Sequence, residues 1–420
     1  MPTIACKTLG CKVNQYDTEA MLELFEASGY ESVDFENEAD VYLINTCTVT
    51  GTGDSKSLKL IRRINREHPS SHIIVAGCLA QRTPEKLLLP GVCLVIGVQQ
   101  RANVVELFKK AIADGTPVNA TAPLKNAVFE QLTVNRHEGK TRACIKIQEG
   151  CNRYCSYCVI PYVRGPIRSM PLDAIRSEAQ RLADSGYSEI VVTGIHMASY
   201  GLDSGEKLID AIAAVCAPDS VKRVRLGSLE PVCADDKFAS ALAKLGKVCP
   251  QFHLSLQSGS QTVLMRMNRR YTPEEYLASC ESLRKAFPGC AITTDIITGF
   301  PGETEEEFTE TLEFVKKVSF ARVHAFPYSR RSGTVADRLP GQVDESIKKE
   351  RTARLIVLAS GLENAYVASK IGSVQSVLFE TECEGYTDSY VRVRAKGVPG
   401  EINDVFITGS EESLAIGEVR

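Results

Sequence analysis

The sequence lacks three features that would mark it as a membrane, secreted or repeat protein. No stretch approaches the roughly 18 consecutive apolar residues that a membrane-spanning helix requires. The first residues, MPTIACKTLGCK, do not show the basic and then apolar pattern of a secretory signal. Short internal repeats and low-complexity tracts are also absent. We therefore expect a cytoplasmic protein that has no membrane partner.

The chain also has little net charge, yet it is rich in cysteine. A formal net charge of −3 argues against a protein that binds nucleic acid over its whole surface, and no DNA partner is expected. A local basic patch remains compatible with this balance. The chain has 15 cysteines in 420 residues. Because disulfides are rare in a reducing compartment, an ordered set of these cysteines predicts metal binding or catalysis.

The length allows two or three domains, and the apolar pattern gives the first of them. In residues 1–113, apolar strands alternate with helical patterns, which predicts a parallel sheet with helices on its faces. Residues 114–140 carry little apolar periodicity and are interpreted as a linker.

A second alternation and a change of period define the rest of the chain. Residues 141–370 contain six more apolar strands, at 142–148, 189–195, 222–228, 252–258, 290–299 and 321–329. Six strands are too few for the eight-stranded barrel, so we expect a partial, open α/β barrel with functional residues at the carboxyl ends of its strands. In residues 371–420 the pattern changes to period two, which predicts a small antiparallel barrel of about five strands.

The segment CNRYCSYC directly follows the first strand of the partial barrel. Its cysteines, Cys151, Cys155 and Cys158, therefore lie at the carboxyl rim. A structural zinc site needs a fourth Cys or His ligand, and none lies within the next thirty residues, the closest downstream candidate being His196. Three thiolates on a four-iron cluster leave one iron open. The amine and carboxylate of S-adenosylmethionine can bind an open iron.

A second set of three cysteines lies upstream. Cys11 in LGCKVNQYD, Cys47 in INTCTVT and Cys78 in VAGCLAQ each follow an apolar strand or the loop after it. Because the ends of parallel strands share one edge of a sheet, these thiols can converge. Three separate core cysteines are the alternative.

The two sets together, in this order, resemble the methylthiotransferase family of radical S-adenosylmethionine enzymes. The segments GCKVNQYD and CNRYCSYCVIPYVRGPIRS are most similar to the branch that modifies N6-threonylcarbamoyladenosine at position 37 of the tRNA anticodon loop. The resemblance covers nearly the whole chain. It implies a flavodoxin-like N-terminal domain, a partial (β/α)6 radical barrel and a C-terminal TRAM domain, which is a small RNA-binding β-barrel.

The resemblance also implies a chemistry and its cofactors. The C2–H bond of adenine is strong and not acidic, so polar catalysis cannot activate it, whereas a radical can. By resemblance, the Cys151, Cys155 and Cys158 site holds a [4Fe-4S] cluster that reduces S-adenosylmethionine and yields a 5′-deoxyadenosyl radical. A second [4Fe-4S] cluster, on Cys11, Cys47 and Cys78, holds the sulfur that is methylated and delivered. An electron donor such as flavodoxin or ferredoxin is implied as a partner.

Further positions are candidates for cofactor binding. By resemblance, Tyr157 packs by the adenine, and Gly194 and His196 lie along the methionine moiety, although His196 fits a rim position equally well. Polar residues also end the third and fourth barrel strands: Arg225, Ser228 and Glu230 on the third, and His253, Ser255 and Gln257 on the fourth. Alternation directs the latter three into the barrel, where either a bound cofactor or water would satisfy their hydrogen bonds.

A basic strand near the C-terminus is the candidate RNA contact. Its polar residues share one parity: Tyr386, Tyr390, Arg392, Arg394 and Lys396. Val391, Val393 and Ala395 have the other parity and are expected to face the core. Basic residues interleaved with aromatic ones suit phosphate contact and base stacking. A solvated strand face is the alternative.

Other functions remain open at this point. The same chemistry on isopentenyladenosine of tRNA, or on an aspartate of a ribosomal protein, is the enzymatic alternative. A zinc-containing RNA-binding protein and a simple electron carrier are alternatives of other classes, although the polar barrel interior argues against a carrier.

Overall fold

A computed structural model describes residues 1–135 and 139–420 of the chain. The N-terminal domain is a six-stranded parallel sheet with the strand order β2-β1-β3-β4-β5-β6. Its strands are β1 Thr3–Thr8, β2 Glu31–Val33, β3 Val41–Thr46, β4 His72–Gly77, β5 Val92–Val95 and β6 Val118–Asn119. Its helices are α1 Lys12–Ala27, α2 Gly51–Glu67, α3 Cys78–Arg82 and α4 Val104–Asp114. The first five strands have the flavodoxin-like order, as predicted.

Both faces of this sheet are covered, which explains why its strands read as continuous apolar runs. On one face, Ile44 packs in a buried cluster with Ile61 of α2. On the other face, Leu43 packs in a second cluster with Met21 and Phe25 of α1. Neighbouring residues of β3 therefore serve opposite layers.

The predicted linker packs against the first domain over much of its length. Strand β6 lies inside residues 114–140 and adds to the edge of the sheet beside β5. Farther along, Leu132 and Val134 are buried in a cluster with Tyr16 of α1. The sheet therefore extends past the boundary expected from the sequence. Residues 136–138 of the predicted linker lie outside the described residues.

The central domain is a partial α/β barrel built from two four-stranded sheets, with the orders β10-β9-β7-β8 and β11-β12-β13-β14. Its strands are β7 Arg142–Glu149, β8 Arg168–Ser169, β9 Glu189–Gly194, β10 Arg223–Leu226, β11 Ser228–Leu229, β12 Gln251–Leu254, β13 Ala291–Thr298 and β14 Arg322–Pro327. Its helices are α5 Ile160–Arg164, α6 Leu172–Asp184, α7 Leu208–Cys216, α8 Asp236–Lys244, α9 Gln261–Arg266, α10 Pro273–Ala286, α11 Glu305–Val318 and α12 Glu345–Ala368.

All six predicted barrel strands are present, but the third is divided. Strand β10 pairs with β9, whereas β11 pairs with β12, so the chain passes from one sheet to the other at Gly227. Alternate strand residues such as Ile145, Leu254 and Ile292 pack in one large core cluster. The opposite side chains of these strands face the barrel interior.

The C-terminal domain is a closed five-stranded barrel with the order β15-β16-β17-β19-β18. Its strands are β15 Val374–Phe379, β16 Glu384–Thr387, β17 Arg392–Arg394, β18 Ile402–Glu411 and β19 Leu414–Val419. The prediction of a purely antiparallel barrel was wrong for one pair, because β17 and β19 run parallel. A period of two fixes which face of a strand is buried, but it does not fix the direction of the neighbouring strand.

None of the described helices combines the length and the apolar character needed to cross a membrane.

Candidate functional site

The upstream cysteines lie at the carboxyl edge of three neighbouring strands. Cys11 precedes α1, Cys47 follows β3, and Cys78 opens α3 directly after β4. The chain approaches closely here, since a Cβ on Gly10 would lie 3.0 Å from the Cys47 sulfur. Burial raises the pKa of the Cys78 thiol to about 11, and the charges of Cys11 and Cys47 act in the same direction. The structure therefore brings these three thiols together.

The second set of cysteines follows β7 at the carboxyl rim of the barrel. Cys151 and Cys155 are buried and Cys158 is half-buried. Burial raises the pKa of the Cys158 thiol to about 12, with the charges of the other two cysteines adding to the shift. Arg269 Nη1 lies 3.4 Å from the Cys155 sulfur. Iron bound by these thiols would displace their protons, so cluster assembly here would release protons.

A cavity of about 150 Å³ opens beside these three thiols. Six of the predicted cofactor residues line it: Tyr157, His196, Ser228, Glu230, Ser255 and Gln257. The hydroxyl oxygens of Ser228 and Ser255 lie 2.7 Å apart. Gln257 has a φ of 73°, a left-handed conformation that is uncommon for a residue with a side chain.

The structure does not bring Gly194 and Arg225 to this cavity. Gly194 instead allows β9 to pack closely on β7, because a Cβ there would lie 3.0 Å from the Cβ of Gln148. Arg225 is buried, donates to Glu189 at 2.9 Å, and donates to the Asp388 carbonyl of the C-terminal barrel at 2.8 Å. Its side chain therefore points to the interface with the C-terminal barrel.

An ionised carboxylate stands at one wall of the cavity. Glu230 lies 3.3 Å from His196 Nε2 and also pairs with Arg153. Burial alone would raise the pKa of Glu230, but the hydrogen bond and charge of His196 outweigh it, so that the pKa lies below its usual value. Nδ1 of His196 lies 2.6 Å from the Ser199 hydroxyl, which fixes the ring.

Sequence reasoning missed the basic residues around both sets of thiols. Arg153 lies between two cysteines of the CNRYCSYC segment, and its position there was a usable signal. Arg269 had no such signal, because it follows α9, 114 residues after Cys155 in the chain.

Arg164 joins the two sets of thiols and was also missed. It ends α5, the short helix that follows Cys158. Its Nε lies 3.3 Å from the Cys78 sulfur, and its Nη1 lies 2.8 Å from Glu149. Val159 packs in the same buried cluster as Cys78. One short segment of the barrel therefore reaches from its own cysteines to those of the N-terminal domain.

The spacing of the thiols separates a cluster from a single ion. Two sulfurs that bind one zinc ion at about 2.3 Å each lie at most about 4.6 Å apart. Among the described residues, the only three potential ligand atoms within 4.8 Å of one another belong to His253, Asp295 and His324. Neither set of three thiols meets this distance for a single shared ion. Three thiolates with one iron left open are instead a ligand set for a four-iron cluster.

The predicted RNA face is divided by a turn. Tyr390 has a φ of 66° and lies between β16 and β17, where it stacks on Tyr386 with ring centroids 4.8 Å apart. The guanidinium of Arg225 lies 4.7 Å from the Tyr390 ring. Tyr390 thus faces the barrel domain.

The basic residues that follow Tyr390 are exposed: Arg392, Arg394 and Lys396. Arg392 pairs with Glu384 and Arg394 pairs with Glu411 at the surface. Val391, Val393 and Ala395 are buried on the other face, as predicted.

Two family models match the chain. Residues 145–315 match the Radical SAM superfamily, and residues 3–97 match Uncharacterized protein family UPF0004. The first match covers the partial barrel as far as α11, and the second covers the parallel sheet that carries Cys11, Cys47 and Cys78.

Curated relatives extend over nearly the full length. The chain is 44% identical to the threonylcarbamoyladenosine tRNA methylthiotransferase MtaB of Bacillus subtilis, over 96% of this chain and 93% of that protein. It is 36% identical to the tRNA-2-methylthio-N(6)-dimethylallyladenosine synthase of Finegoldia magna, over 91% of this chain and 84% of that protein.

Among solved structures, the fold is similar to the radical S-adenosylmethionine methyltransferase TsrM of Kitasatospora setae. The TM-score is 0.60 at 15% identity, over 78% of this chain and 73% of that one.

Proposed function

The chain belongs to the family of radical S-adenosylmethionine tRNA methylthiotransferases, and we propose that it converts N6-threonylcarbamoyladenosine at position 37 of tRNA into its 2-methylthio derivative. One observation carries the proposal: helix α5 starts beside Cys158 and ends at Arg164, which contacts the Cys78 sulfur. Sulfur insertion at carbon needs a site that activates the C–H bond and a site that holds sulfur close by. Two three-thiol sites joined by a five-residue helix meet that need.

The choice of acceptor is supported by the relatives. The relative named for threonylcarbamoyladenosine is 44% identical, against 36% for the one named for dimethylallyladenosine. The zinc-protein alternative is disfavoured because, among the described residues, no three cysteine sulfurs lie within 4.8 Å of one another, as ligands of one zinc ion would. The two alternative acceptors, isopentenyladenosine of tRNA and an aspartate of a ribosomal protein, are tested by the experiment below.

Each set of thiols holds a [4Fe-4S] cluster in this proposal, with an iron left open in each. When bound, the clusters and S-adenosylmethionine supply the one-electron chemistry that the C2–H bond requires. The chain's own residues hold and orient these groups. Arg164 and Arg269 donate hydrogen bonds to the sulfurs of Cys78 and Cys155 and offset their negative charge.

The wall of the cavity positions the cofactor. Ionised Glu230, fixed by His196 and Arg153, presents a carboxylate to the cationic parts of S-adenosylmethionine. The paired hydroxyls of Ser228 and Ser255, at the neighbouring strands β11 and β12, offer further hydrogen bonds. Tyr157 supplies an apolar ring against Phe300, with ring centroids 6.4 Å apart.

The remaining partners follow from this chemistry. The C-terminal barrel contacts the tRNA phosphates through Arg392, Arg394 and Lys396, a local basic patch on a chain with little net charge. A flavodoxin or ferredoxin supplies the electron. The cytoplasm, where tRNA is modified, is the proposed location.

Nucleoside mass spectrometry of tRNA tests the acceptor. In a strain that lacks this protein, the 2-methylthio-threonylcarbamoyl nucleoside should disappear and its unmethylthiolated precursor should accumulate. Loss of the methylthio-isopentenyl nucleoside instead, or an unchanged tRNA profile with a lost modification of a ribosomal protein, would contradict the proposal.

Iron analysis of purified, reconstituted variants tests the two sites separately. The wild type should hold roughly eight iron atoms, and Cys78→Ala or Cys155→Ala should each hold roughly four and fail to restore the nucleoside. Cys383→Ala, an exposed cysteine in the C-terminal barrel, is the matched control and should behave as wild type. Eight iron atoms in either site variant would remove the basis for two clusters.

A further inference from the structure

Three potential metal ligands lie on neighbouring strands inside the barrel. His253 is on β12, Asp295 on β13 and His324 on β14. Asp295 is directly opposite His324 in the strand pairing, and His253 is opposite Thr293, two residues before Asp295. The side chains of intervening residues pack in the core on the other side of the sheet: Phe252, Leu254, Ile292 and Ile296. The three ligands therefore share the interior face.

Their geometry suits a single ion. One ligand atom from each residue lies within 4.8 Å of the other two, and His253 Nε2 is 3.3 Å from an Asp295 carboxylate oxygen. The second nitrogen of His253, Nδ1, lies 3.0 Å from the Thr293 hydroxyl. Metal-binding histidines commonly have their other ring nitrogen fixed in this way, which aims the free nitrogen at the ion.

The electrostatics also permit a cation here. A neutral imidazole is the form that binds a metal ion, and one cation, Arg322, lies two residues before His324 on β14. The charge of Arg322 is partly offset by Glu363, 3.6 Å away. Asp295 supplies the one negative charge among the three ligands.

We propose that His253, Asp295 and His324 form a mononuclear site for a divalent transition-metal ion. Two imidazoles and one carboxylate are a ligand set that zinc and iron accept, and zinc commonly keeps a fourth position open when three protein groups hold it. Because the three ligands share the interior face of the sheet, the open position would face the barrel interior. The side chains of His253 and Asp295 remain 17% and 33% exposed, which leaves room for a further ligand. A carboxylate or another anionic oxygen group would complete the coordination.

The proposed metal site lies between two cavities. Ser255 and Gln257, which follow His253 in the chain, line the cavity beside the barrel cysteines. Thr293 lines a second cavity of about 190 Å³, which Tyr386 and Tyr390 of the C-terminal barrel also line. The site thus lies between the radical site and the proposed RNA-binding domain. The metal-site proposal itself is independent of which acceptor the enzyme uses.

Zinc binding by the full, cluster-loaded chain tests the proposal. Protein stripped of adventitious metal with a mild chelator receives Zn²⁺ alone, followed by dialysis, with iron content measured on the same samples. We expect about one zinc per chain and zinc-edge X-ray absorption that shows nitrogen or oxygen at about 2.0–2.1 Å with no sulfur near 2.3 Å. The element-specific edge separates this ion from the iron clusters.

Two variants and a control localise the ion. Asp295→Asn and His324→Gln should each weaken zinc binding at least tenfold while iron content and the circular dichroism spectrum stay unchanged. His72→Gln, an exposed histidine on β4, should bind zinc as wild type does. The proposal is overturned if the cluster-loaded chain retains no zinc, if the zinc edge shows sulfur ligands, or if both variants bind zinc as tightly as wild type.

Discussion

At the scale of single residues, Arg164 connects the two thiol sites through a buried ion network. Its guanidinium contacts Asp17 of α1 at 3.1 Å and Glu149 of β7 at 2.8 Å. The other cations of the network are Arg101, Lys146 and Arg168. Burial alone would raise the pKa of Glu149, but the charges of Arg101, Lys146 and Arg164 outweigh it and hold that pKa well below its usual value. The network therefore stays ionised and ties the N-terminal domain to the barrel.

Replacing Arg164 should lower the stability of the protein. Removing one partner from a buried ion network leaves the others uncompensated, so Arg164→Met should lower the free energy of unfolding by about 3 kcal/mol. Arg164→Lys keeps the charge but not the planar fork, and should give an intermediate loss. Urea unfolding measures both variants.

The control for this prediction is Arg176→Met on α6. Arg176 pairs with Asp173 at the surface, with both side chains largely exposed. Its removal should change the free energy of unfolding by less than about 0.5 kcal/mol. Equal effects of the Arg164 and Arg176 replacements would show that the network contributes nothing beyond a surface pair.

At the scale of elements, the turn from β4 to α3 decides where Cys78 points. Gly77 has a φ of +95°, and a Cβ there would lie 2.2 Å from the Asn45 side chain and 2.5 Å from the Thr46 carbonyl oxygen. Only glycine fits this turn, because both the backbone conformation and the close approach of β3 exclude a side chain. The turn therefore allows α3 to begin with a cysteine at the edge of the sheet.

Gly77→Ala should displace Cys78. We expect it to lower the free energy of unfolding by about 2–4 kcal/mol, since it adds overpacking to backbone strain. Reconstituted protein should lose roughly half of its iron. Iron analysis and urea unfolding measure the two effects.

A second glycine replacement, in α12, serves as a control that should raise the free energy of unfolding. Gly361 lies within α12, and a Cβ there would meet no atom within 4 Å. Gly361→Ala should raise the free energy of unfolding by about 0.5–1 kcal/mol, because alanine is the better helix former. Full iron content in Gly77→Ala would contradict the assigned role of the turn.

At the scale of the whole molecule, arginines of the barrel domain hold the C-terminal barrel in place. The guanidinium of Arg142 lies 5.1 Å from the Tyr386 ring and 5.4 Å from the Tyr390 ring. Arg223 donates to the Ser376 carbonyl oxygen at 2.6 Å. Tyr390 therefore lies in the domain interface, and the exposed basic face consists of Arg392, Arg394 and Lys396.

The basic face should set the salt dependence of tRNA binding. Each phosphate contact contributes about 0.7–0.9 to the slope of log affinity against log salt, so the triple replacement R392A/R394A/K396A should reduce that slope by about 2–3. Filter binding of tRNA across a salt series measures it.

The matched control replaces three exposed lysines of the N-terminal domain with alanine: Lys86, Lys109 and Lys110. It lowers the net charge by the same amount and should leave the slope near that of wild type. A slope that falls equally in both triple variants would indicate a general charge effect and no specific face.

The sequence by itself determined the architecture and both sets of cysteines. The spacing of Cys151, Cys155 and Cys158 is fixed covalently, and the alternation of apolar runs placed all six barrel strands. The convergence of Cys11, Cys47 and Cys78 followed from a general property of parallel sheets, whose strand ends share an edge. These inferences needed only local periodicity and chain order.

Only the tertiary structure decided which polar residues meet across elements. Arg164 reaches Cys78 over 86 positions of sequence, and Arg225 turns away from the cavity to a carbonyl 163 positions later. His253 was expected in the barrel interior, but its convergence with Asp295 and His324 depends on strand register. Periodicity shows which face of an element is buried; the partner that a polar side chain finds depends on register and domain packing, which no local pattern encodes.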